Sequence, residues 1–323
     1  MRRLTISLLA TFICFFALFG TSYSSGFPSR DIQVVVPFSA GGGSSITGQI
    51  AAQIIQEERY LPVNLNVINK PGGGMAVGMS YLKTKKGDPH YIMLFTPLIL
   101  TTPLQGDVKV NINDFTPIVV FGYQLAVLCS KADDDRFKTL QDVVQHAKAN
   151  PGKISIAVAG IGGGQHTFAS LLAEATGCEF NVVPFSGSAK GTAALLGGHV
   201  DLSVVHLNEI GDFIEAKKVN ALGIASKKRV ANQPDIPTFI EQGYNFTYGM
   251  PRGIVAPGNI PEDARQVLGS TFKKLCESER WKKEFIDKFV FLADPMYLDD
   301  AKSYLEEQEI IYKDFLKKTG LIK

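Results

Sequence analysis

The chain has few of the residues and motifs that mark a metal site, a redox site or a nucleic-acid-binding surface. It has four cysteines among 323 residues, and no two of them have the spacing of a metal-binding or CxxC motif. Its five histidines include no HxxxH helical pair, so the sequence predicts neither a metal site nor a cofactor. The formal net charge is only +2, so the chain has no global field to attract nucleic acid or a membrane surface.

The scarce cysteines also limit the disulfides that the chain can form. Cys14 lies in the amino-terminal apolar run, which leaves Cys129, Cys178 and Cys276 in the rest of the chain. An odd number leaves at least one thiol free or bonded between chains. Cys129 follows the apolar run 125–128 and is predicted to be a buried core residue.

The first 26 residues have the features of a secretory signal peptide. Arg2 and Arg3 give a positive start, residues 4–19 form a largely apolar run, and small residues follow at 20–24. The run is short for a membrane span, which needs about 20 residues. An uncleaved amino-terminal anchor is the alternative, and in either case we expect the folded part to be exported.

Three glycine-rich segments each follow an apolar run and each precede a predicted helix. They are residues 37–45, 160–166 and 184–189. Glycine lets the backbone approach a ligand closely, and the first amides of a helix are unpaired at the positive end of its dipole. Three such turns can converge on one anion, and a carboxylate is the anion that we expect.

Apolar runs alternate with amphipathic segments, which predicts a parallel α/β architecture. The predicted strands are residues 32–36, 63–68, 91–96, 118–129, 154–158, 180–184, 201–205, 220–225, 253–256 and 289–292. The predicted helices are residues 44–57, 75–83, 139–149, 164–176, 188–196, 208–217, 261–276 and 297–318.

We predict two domains joined by two chain crossings. Residues 124–246 form the second, inserted domain, and residues 27–123 and 247–323 together form the first. A polar break at 133–136 and an irregular stretch at 233–250 accompany the two crossings. The glycine turns lie at the carboxyl ends of predicted strands, so the ligand is expected there, in a cleft between the domains.

A colinear series of short motifs runs through nearly all of the chain after the signal segment. It consists of Phe-Pro-Ser-Arg at 27–30, Ala-Gly-Gly-Gly at 40–43, Asn-Lys-Pro-Gly-Gly-Gly at 69–74, Asp-Phe-Thr-Pro at 114–117, Pro-Gly-Lys at 151–153, Gly-x-Gly with a histidine at 160–166, Val-Pro-Phe at 183–185, Leu-Gly-Gly-His-Val-Asp at 196–201 and Ala-Pro-Gly at 256–258. This series resembles that of the tripartite tricarboxylate transporter substrate-binding proteins, the TctC or Bug family.

The resemblance implies a two-domain periplasmic binding protein of the type II, Venus-flytrap kind, with a ligand cleft between its domains. Such a protein captures a small organic acid and passes it to membrane subunits of the same transport system, without catalysis. We expect a periplasmic monomer. The family often has Asp at the place of Ser45 and Tyr-Lys-Gly at the place of residues 185–187. Because the Asp could hold an ammonium group, we expect amino acids to bind poorly.

The candidate ligand-binding residues lie on the three turns, after a predicted strand near residue 205, and beside the second crossing. They are Ala40, Gly41, Gly42, Gly43, Ser44, Ser45, Gly160, Gly162, Gly163, Gly164, His166, Phe185, Ser186, Gly187, Ser188, His206, Asn208 and Arg252. No catalytic residue is assigned.

Several of these residues also have a purely structural interpretation. Ser44 or Ser45 can cap a helix, Asn208 can begin one, and His166 can support its loop without touching the ligand. Arg252 offers a planar fork for two hydrogen bonds to a carboxylate, and a solvated hinge arginine is its alternative.

The predicted function is capture of a small organic acid, di- and tricarboxylates included, for a tripartite tricarboxylate-type transporter. A protein that presents its ligand to a membrane sensor kinase is an alternative with the same fold. A secreted hydrolase is a further alternative, although the sequence has no Gly-x-Ser-x-Gly elbow, no HExxH motif and no Walker loop.

Overall fold

The computed structural model describes residues 26–41, 43–106, 108–230 and 233–323. The predicted signal peptide, apart from Gly26, and the candidate site residue Gly42 therefore lie outside the described residues.

The described chain alternates strands and helices. Strands β1 to β10 are Ile32–Val36, Leu65–Asn69, Tyr91–Phe95, Phe115–Lys131, Ser155–Ala159, Asn181–Phe185, Leu202–His206, Val219–Ile224, Gly249–Pro257 and Phe291–Tyr297. Helices α1 to α9 are Gly43–Glu57, Ala76–Lys83, Leu98–Gln105, Leu140–Ala149, Gly164–Thr176, Ser188–Leu196, Leu207–Glu215, Glu262–Glu277 and Leu298–Lys318. Short 3-10, α- and π-helical turns occupy Ile112–Asp114, Glu279–Trp281 and Lys282–Asp287.

Helix α3 is the main element that the sequence pattern did not predict. Its sequence has no polar face with helical spacing, and Pro103 lies within it. Proline interrupts helical hydrogen bonding, so the local pattern argued against a helix there. The helix nevertheless forms, with Ile99, Leu100 and Thr101 buried, because tertiary packing overrides a weak local preference.

The sheet is mixed, although a parallel one was predicted. Its strand order is β2-β1-β3-β9-β4-β7-β5-β6, and β8 and β10 also pair with β4. The outer groups, β2-β1-β3 and β7-β5-β6, are parallel. The centre is antiparallel, because β9 pairs antiparallel with both β3 and β4, and β7 pairs antiparallel with β4.

Strand β4 belongs to both halves of this sheet. Its first part pairs with β9, from Phe115 opposite Pro257 to Leu125 opposite Gly249. From Ala126 onward it pairs with β7 and β8 instead. The change of partners between Leu125 and Ala126 places the start of β9 and the end of β7 close together on the same strand.

Helix α9 packs against elements from both halves of the sheet. It contacts β4 and α3, and towards its end it also contacts α5. Tyr312 on α9 lies at 2.8 Å, oxygen to oxygen, from Tyr248, which immediately precedes β9. Both side chains are buried in the core cluster that also contains Phe168 of α5. No helix in the described part of the chain is long and apolar enough to cross a membrane.

Candidate functional site

The first glycine turn joins β1 to α1, as the sequence predicted. Ala40 and Gly41 are exposed, and Gly41 has a φ of 81°, a conformation that glycine adopts without a steric penalty. Helix α1 begins at Gly43, so Ser44 and Ser45 lie inside its first turn and are not its N-cap. The Oγ of Ser44 is available to a partner from outside the helix.

The side chain of Ser45 contacts the neighbouring strand β2. It is fully buried, and its Oγ accepts a hydrogen bond of 3.3 Å from Nδ2 of Asn69. The same Nδ2 donates to the carbonyl oxygen of Phe38 at 2.8 Å. Asn69 ends β2, the neighbour of β1. The contact therefore fixes the shape of the first turn.

The second and third turns lie side by side because β5 and β6 are parallel neighbours. The amide of Gly160 donates to the carbonyl of Phe185 at 2.9 Å. The buried side chain of Gln165 joins the two turns. Its Oε1 accepts from the amide of Ala159 at 2.6 Å, and its Nε2 donates to Oγ of Ser188 at 2.8 Å.

The second turn also touches the first half of the sheet. Gly162 has a φ of 71°, and a Cβ built there would overlap the side-chain amide of Gln105 at the end of α3. Gly163 is buried, and a Cβ on Gly164 would lie 2.5 Å from Sδ of Met250. These glycines permit close packing between the two halves of the molecule.

His166 supports the second turn. Its Nδ1 accepts a hydrogen bond of 3.0 Å from the amide of Gly162, and its ring packs edge-on against Phe315 of α9 at 5.5 Å between centroids. Burial lowers the pKa of this histidine. In the third turn, Phe185 is half-buried against the core, Ser186 is exposed, and Gly187 precedes α6.

A chain of side-chain hydrogen bonds connects the first turn to the end of β7. Nη1 of Arg252 donates to Oγ of Ser44 at 2.8 Å, and its Nε donates to Oε1 of Gln124 at 2.7 Å. Nη2 of Arg252 also donates to that oxygen. Nε2 of Gln124 donates to Oδ1 of Asn208 at 2.9 Å. Three predicted site residues are thus linked, because Arg252 bonds directly to Ser44 and is connected to Asn208 through Gln124.

Arg252 carries a partly buried positive charge without an ion-pair partner. All three of its hydrogen bonds go to neutral oxygens. Among the residues that the structure describes, no carboxylate oxygen lies within 4.0 Å of its guanidinium. Burial lowers its pKa to about 10, and the nearby charge of Glu209 opposes that shift. The guanidinium therefore remains charged at neutral pH and can accept an anion as a partner.

His206, at the end of β7, is a neutral acceptor beside this arginine. Burial, together with the charge of Arg252, lowers its pKa to about 3. Its Nδ1 is buried and has no hydrogen-bond partner in the described protein. A buried acceptor without a partner is costly unless a ligand or water supplies a donor.

Sequence reasoning did not single out Gln124, Gln165 and Glu209, three polar residues that contact or lie near the candidate site residues. Gln165 stands inside the second glycine segment, so its position was a usable signal. Gln124 lies in a long apolar strand and Glu209 in an amphipathic helix, and neither residue carries a local signal of binding.

Three residues with the identities of a hydrolase triad lie close together elsewhere. Oγ of Ser29 is 3.3 Å from Nε2 of His90, and Nδ1 of His90 is 3.0 Å from Oδ1 of Asp88. The backbone amide of Ser29 also donates to that Nε2 at 3.2 Å, so it occupies the lone pair that would accept the hydroxyl proton. The cluster precedes β1 and β3, at the strand ends opposite the glycine turns, and it anchors the amino-terminal segment.

Other parts of the described chain offer no comparable site. A cavity of about 300 Å³ lies between the start of β4 and helices α8 and α9. It is lined in part by Arg265, whose charge is already paired with Glu262 and Asp299. No group of three or more His, Cys, Asp or Glu side chains in the described residues is placed to hold a metal ion. Cys129, Cys178 and Cys276 are free thiols, and Cys129 is buried, as predicted.

Comparisons with known proteins identify the family and the fold of the chain. Residues 50–321 match the model of a family described as "Tripartite tricarboxylate transporter family receptor". A Cupriavidus necator protein, described as "UPF0065 protein in gbd 5'region", is 28% identical over 303 residues, covering 92% of this chain and 90% of the relative.

Solved structures show the same fold. A TctC solute-binding protein from Polaromonas is 26% identical, with a TM-score of 0.76 over 90% of this chain and 99% of that protein. An R. palustris protein solved with adipate has a TM-score of 0.78 over 91% of this chain and 98% of that protein. The second is 22% identical and shows the fold alone.

Proposed function

Because the chain belongs to the tripartite tricarboxylate transporter receptor family, we propose that it captures a small organic acid through the carboxylate group. The protein is a solute-binding receptor and not an enzyme. The acid would then pass to the membrane subunits of a transporter of this kind. Adipate, which the R. palustris protein holds, is an acid of the proposed class.

The unpaired charge of Arg252 carries the proposal. Its guanidinium lies against Ser44 in the first turn of α1, where unpaired amides and the helix dipole favour an anion. A charge-assisted hydrogen bond contributes about 1.5–3 kcal/mol. A Kd near micromolar corresponds to about 8 kcal/mol, and a few such bonds can reach it after ordering costs are subtracted.

We further propose that binding closes one domain onto the other. The proposed domains are residues 27–123 with 247–323, and residues 124–246. The change of partners along β4 between Leu125 and Ala126 supports this division. The hydrogen bonds from Arg252 through Gln124 to Asn208 cross the same boundary. A ligand that contacts both sides only in the closed form shifts the population towards that form.

The proposed setting follows from the amino-terminal segment. Cleavage of a signal peptide at residues 1–26 would release the receptor into the periplasm as a monomer.

The direct test is a thermal-shift screen of the purified protein against carboxylates, sugars and amines. A ligand at 100 times its Kd stabilises the folded state by about 2.7 kcal/mol, and we expect that shift from at least one small carboxylate. Shifts from sugars or amines, with none from any carboxylate, would overturn the proposal.

Gly43 allows the contribution of the first turn to be measured separately. A Cβ at Gly43 would meet no atom within 4 Å. We expect Gly43→Val to leave the unliganded protein equally stable or slightly more stable, since valine favours a helix more than glycine does. It should weaken carboxylate binding by at least about tenfold, because the new methyl groups obstruct the approach to the first amides of α1.

Calorimetric titrations and thermal melts separate these two effects of the Gly43 substitution. Gly43→Ala, with a single methyl group, should show a smaller loss of affinity in the same direction. Unchanged binding by a well-folded Gly43→Val protein would remove the first turn from the site.

A further inference from the structure

Gln124 is the side chain that anchors Arg252, and the proposed function gives it no role. It is buried in β4 and lies opposite Met250 of β9, two residues before Arg252 in that strand. Its Oε1 accepts hydrogen bonds from Nε of Arg252, at 2.7 Å, and from Nη2 of the same side chain. One neutral oxygen therefore occupies a whole edge of the guanidinium.

The orientation of the Gln124 amide follows from the chemistry of its two neighbours. Arg252 has only donors, so the amide must face it with its oxygen. The NH2 end then needs an acceptor, and Nε2 donates to Oδ1 of Asn208 at 2.9 Å. Because the amide is held at both ends, the direction of the guanidinium is fixed as well.

These contacts leave part of the arginine free to bind a ligand. A guanidinium has five N–H donors, and Arg252 uses one on Nε, one on Nη2 and one on Nη1, the last to Oγ of Ser44 at 2.8 Å. One N–H on each terminal nitrogen remains. With Nε occupied, a carboxylate can reach Arg252 only through the terminal nitrogens, beside the start of α1.

The neutrality of Gln124 decides whether the charge of Arg252 is available. A glutamate at this position would form a charge-assisted pair with the guanidinium and neutralise it. In the part of the chain that the structure describes, no carboxylate oxygen lies within 4.0 Å of Arg252. The amide of Gln124 holds the arginine through the same kind of oxygen and leaves its charge unpaired.

We propose that Gln124 is a positioning residue for ligand capture. It orients Arg252 and, because it is neutral, leaves the positive charge of the arginine to the carboxylate of the ligand. This inference rests on the proposed function and adds to it a residue that acts through Arg252.

Gln124→Glu separates this role from a purely structural one. The variant keeps the length of the side chain and the acceptor for Arg252, and the amide of Asn208 can turn to donate Nδ2 to the second carboxylate oxygen. The unliganded protein should be as stable as the wild type or more stable, because the arginine gains an ion pair. Carboxylate binding should weaken at least about tenfold, because the paired arginine no longer attracts an anion.

Urea denaturation measures the stability, and isothermal titration with acetate, succinate, adipate and citrate measures the affinity. Gln141→Glu, at the exposed start of α4, is the matched control, since it adds the same charge away from the arginine. It should bind each acid like the wild type. Gln124→Met removes the acceptor without adding a charge, and it should weaken binding by a smaller factor than Gln124→Glu.

The outcomes distinguish this inference from the proposed function. If the wild type binds a carboxylate and Gln124→Glu binds it equally well, the inference is overturned and the proposed function stands. If Gln124→Glu loses stability together with affinity, Gln124 has only a structural role and the inference is again overturned. If the wild type binds no carboxylate, both proposals fail.

Discussion

Replacement of Arg252 by alanine should weaken carboxylate binding by about 1.5–3 kcal/mol, a rise in Kd of roughly 10- to 150-fold. The guanidinium is a charged donor without an ion-pair partner among the described residues, held by Gln124 and Ser44. Arg252→Lys should recover only part of the loss, because an ammonium group cannot reproduce the bidentate fork. Isothermal titration measures both effects.

The matched control for Arg252 is an arginine that already has carboxylate partners. Arg280 pairs with Glu57 and Glu284, so Arg280→Ala should leave the Kd unchanged. Small-angle scattering adds a second measurement, since the wild type should contract on binding. If Arg252→Ala binds and contracts like the wild type, the arginine does not contact the ligand and the amide turns alone hold the acid.

Below about pH 6.5, His206 should cause the free energy of unfolding to fall by up to about 1.4 kcal/mol per pH unit. Burial and the charge of Arg252 lower its folded-state pKa to about 3, from 6.5 in the unfolded chain. Between these values the unfolded state binds a proton that the folded state does not. The stabilisation is therefore complete above pH 6.5 and is lost as the pH falls towards 3.

Urea denaturation of the wild type and of His206→Gln, between pH 7.5 and 4.5, isolates this effect. The burial of His166 lowers its pKa as well, and its contribution cancels in the difference between the two proteins. Glu209, whose pKa burial raises, acts in the opposite direction and is also present in both. The difference in stability should be constant above pH 7 and should change steadily below pH 6.5. Parallel curves over the whole range would show that His206 titrates normally.

Local patterns in the sequence predicted the strands and helices that carry the candidate site. Each glycine segment follows a run that is apolar enough to be a buried strand, so the strand, the turn and the helix after it were readable together. Strand direction was not readable, because the pairing of β4 and β9 depends on a partner far along the chain. The polar contacts were hidden for the same reason: Gln124 and Arg252 are 128 residues apart.

Position 45 shows that a sequence motif does not reveal the contacts of its side chains. The family comparison treated Ser45 as a place near the ligand where charge had been lost. In the structure Ser45 is buried and bonded to Asn69, a contact that no spacing within the first segment predicts.

The shared strand β4 also determines the order in which the chain can acquire its structure. Thr116 donates to the carbonyl of Pro257, 141 residues away, so the first half of the sheet cannot be completed until β9 is available. Closing so large a loop carries an entropic cost before any contact rewards it, and topologies of this kind fold slowly. During synthesis β3 has an open edge until its partner β9 is made, while the strands from β5 to β8 pair with one another and with β4, which are all made before β9. A chain of this topology stays incompletely folded until its carboxyl-terminal quarter has been made.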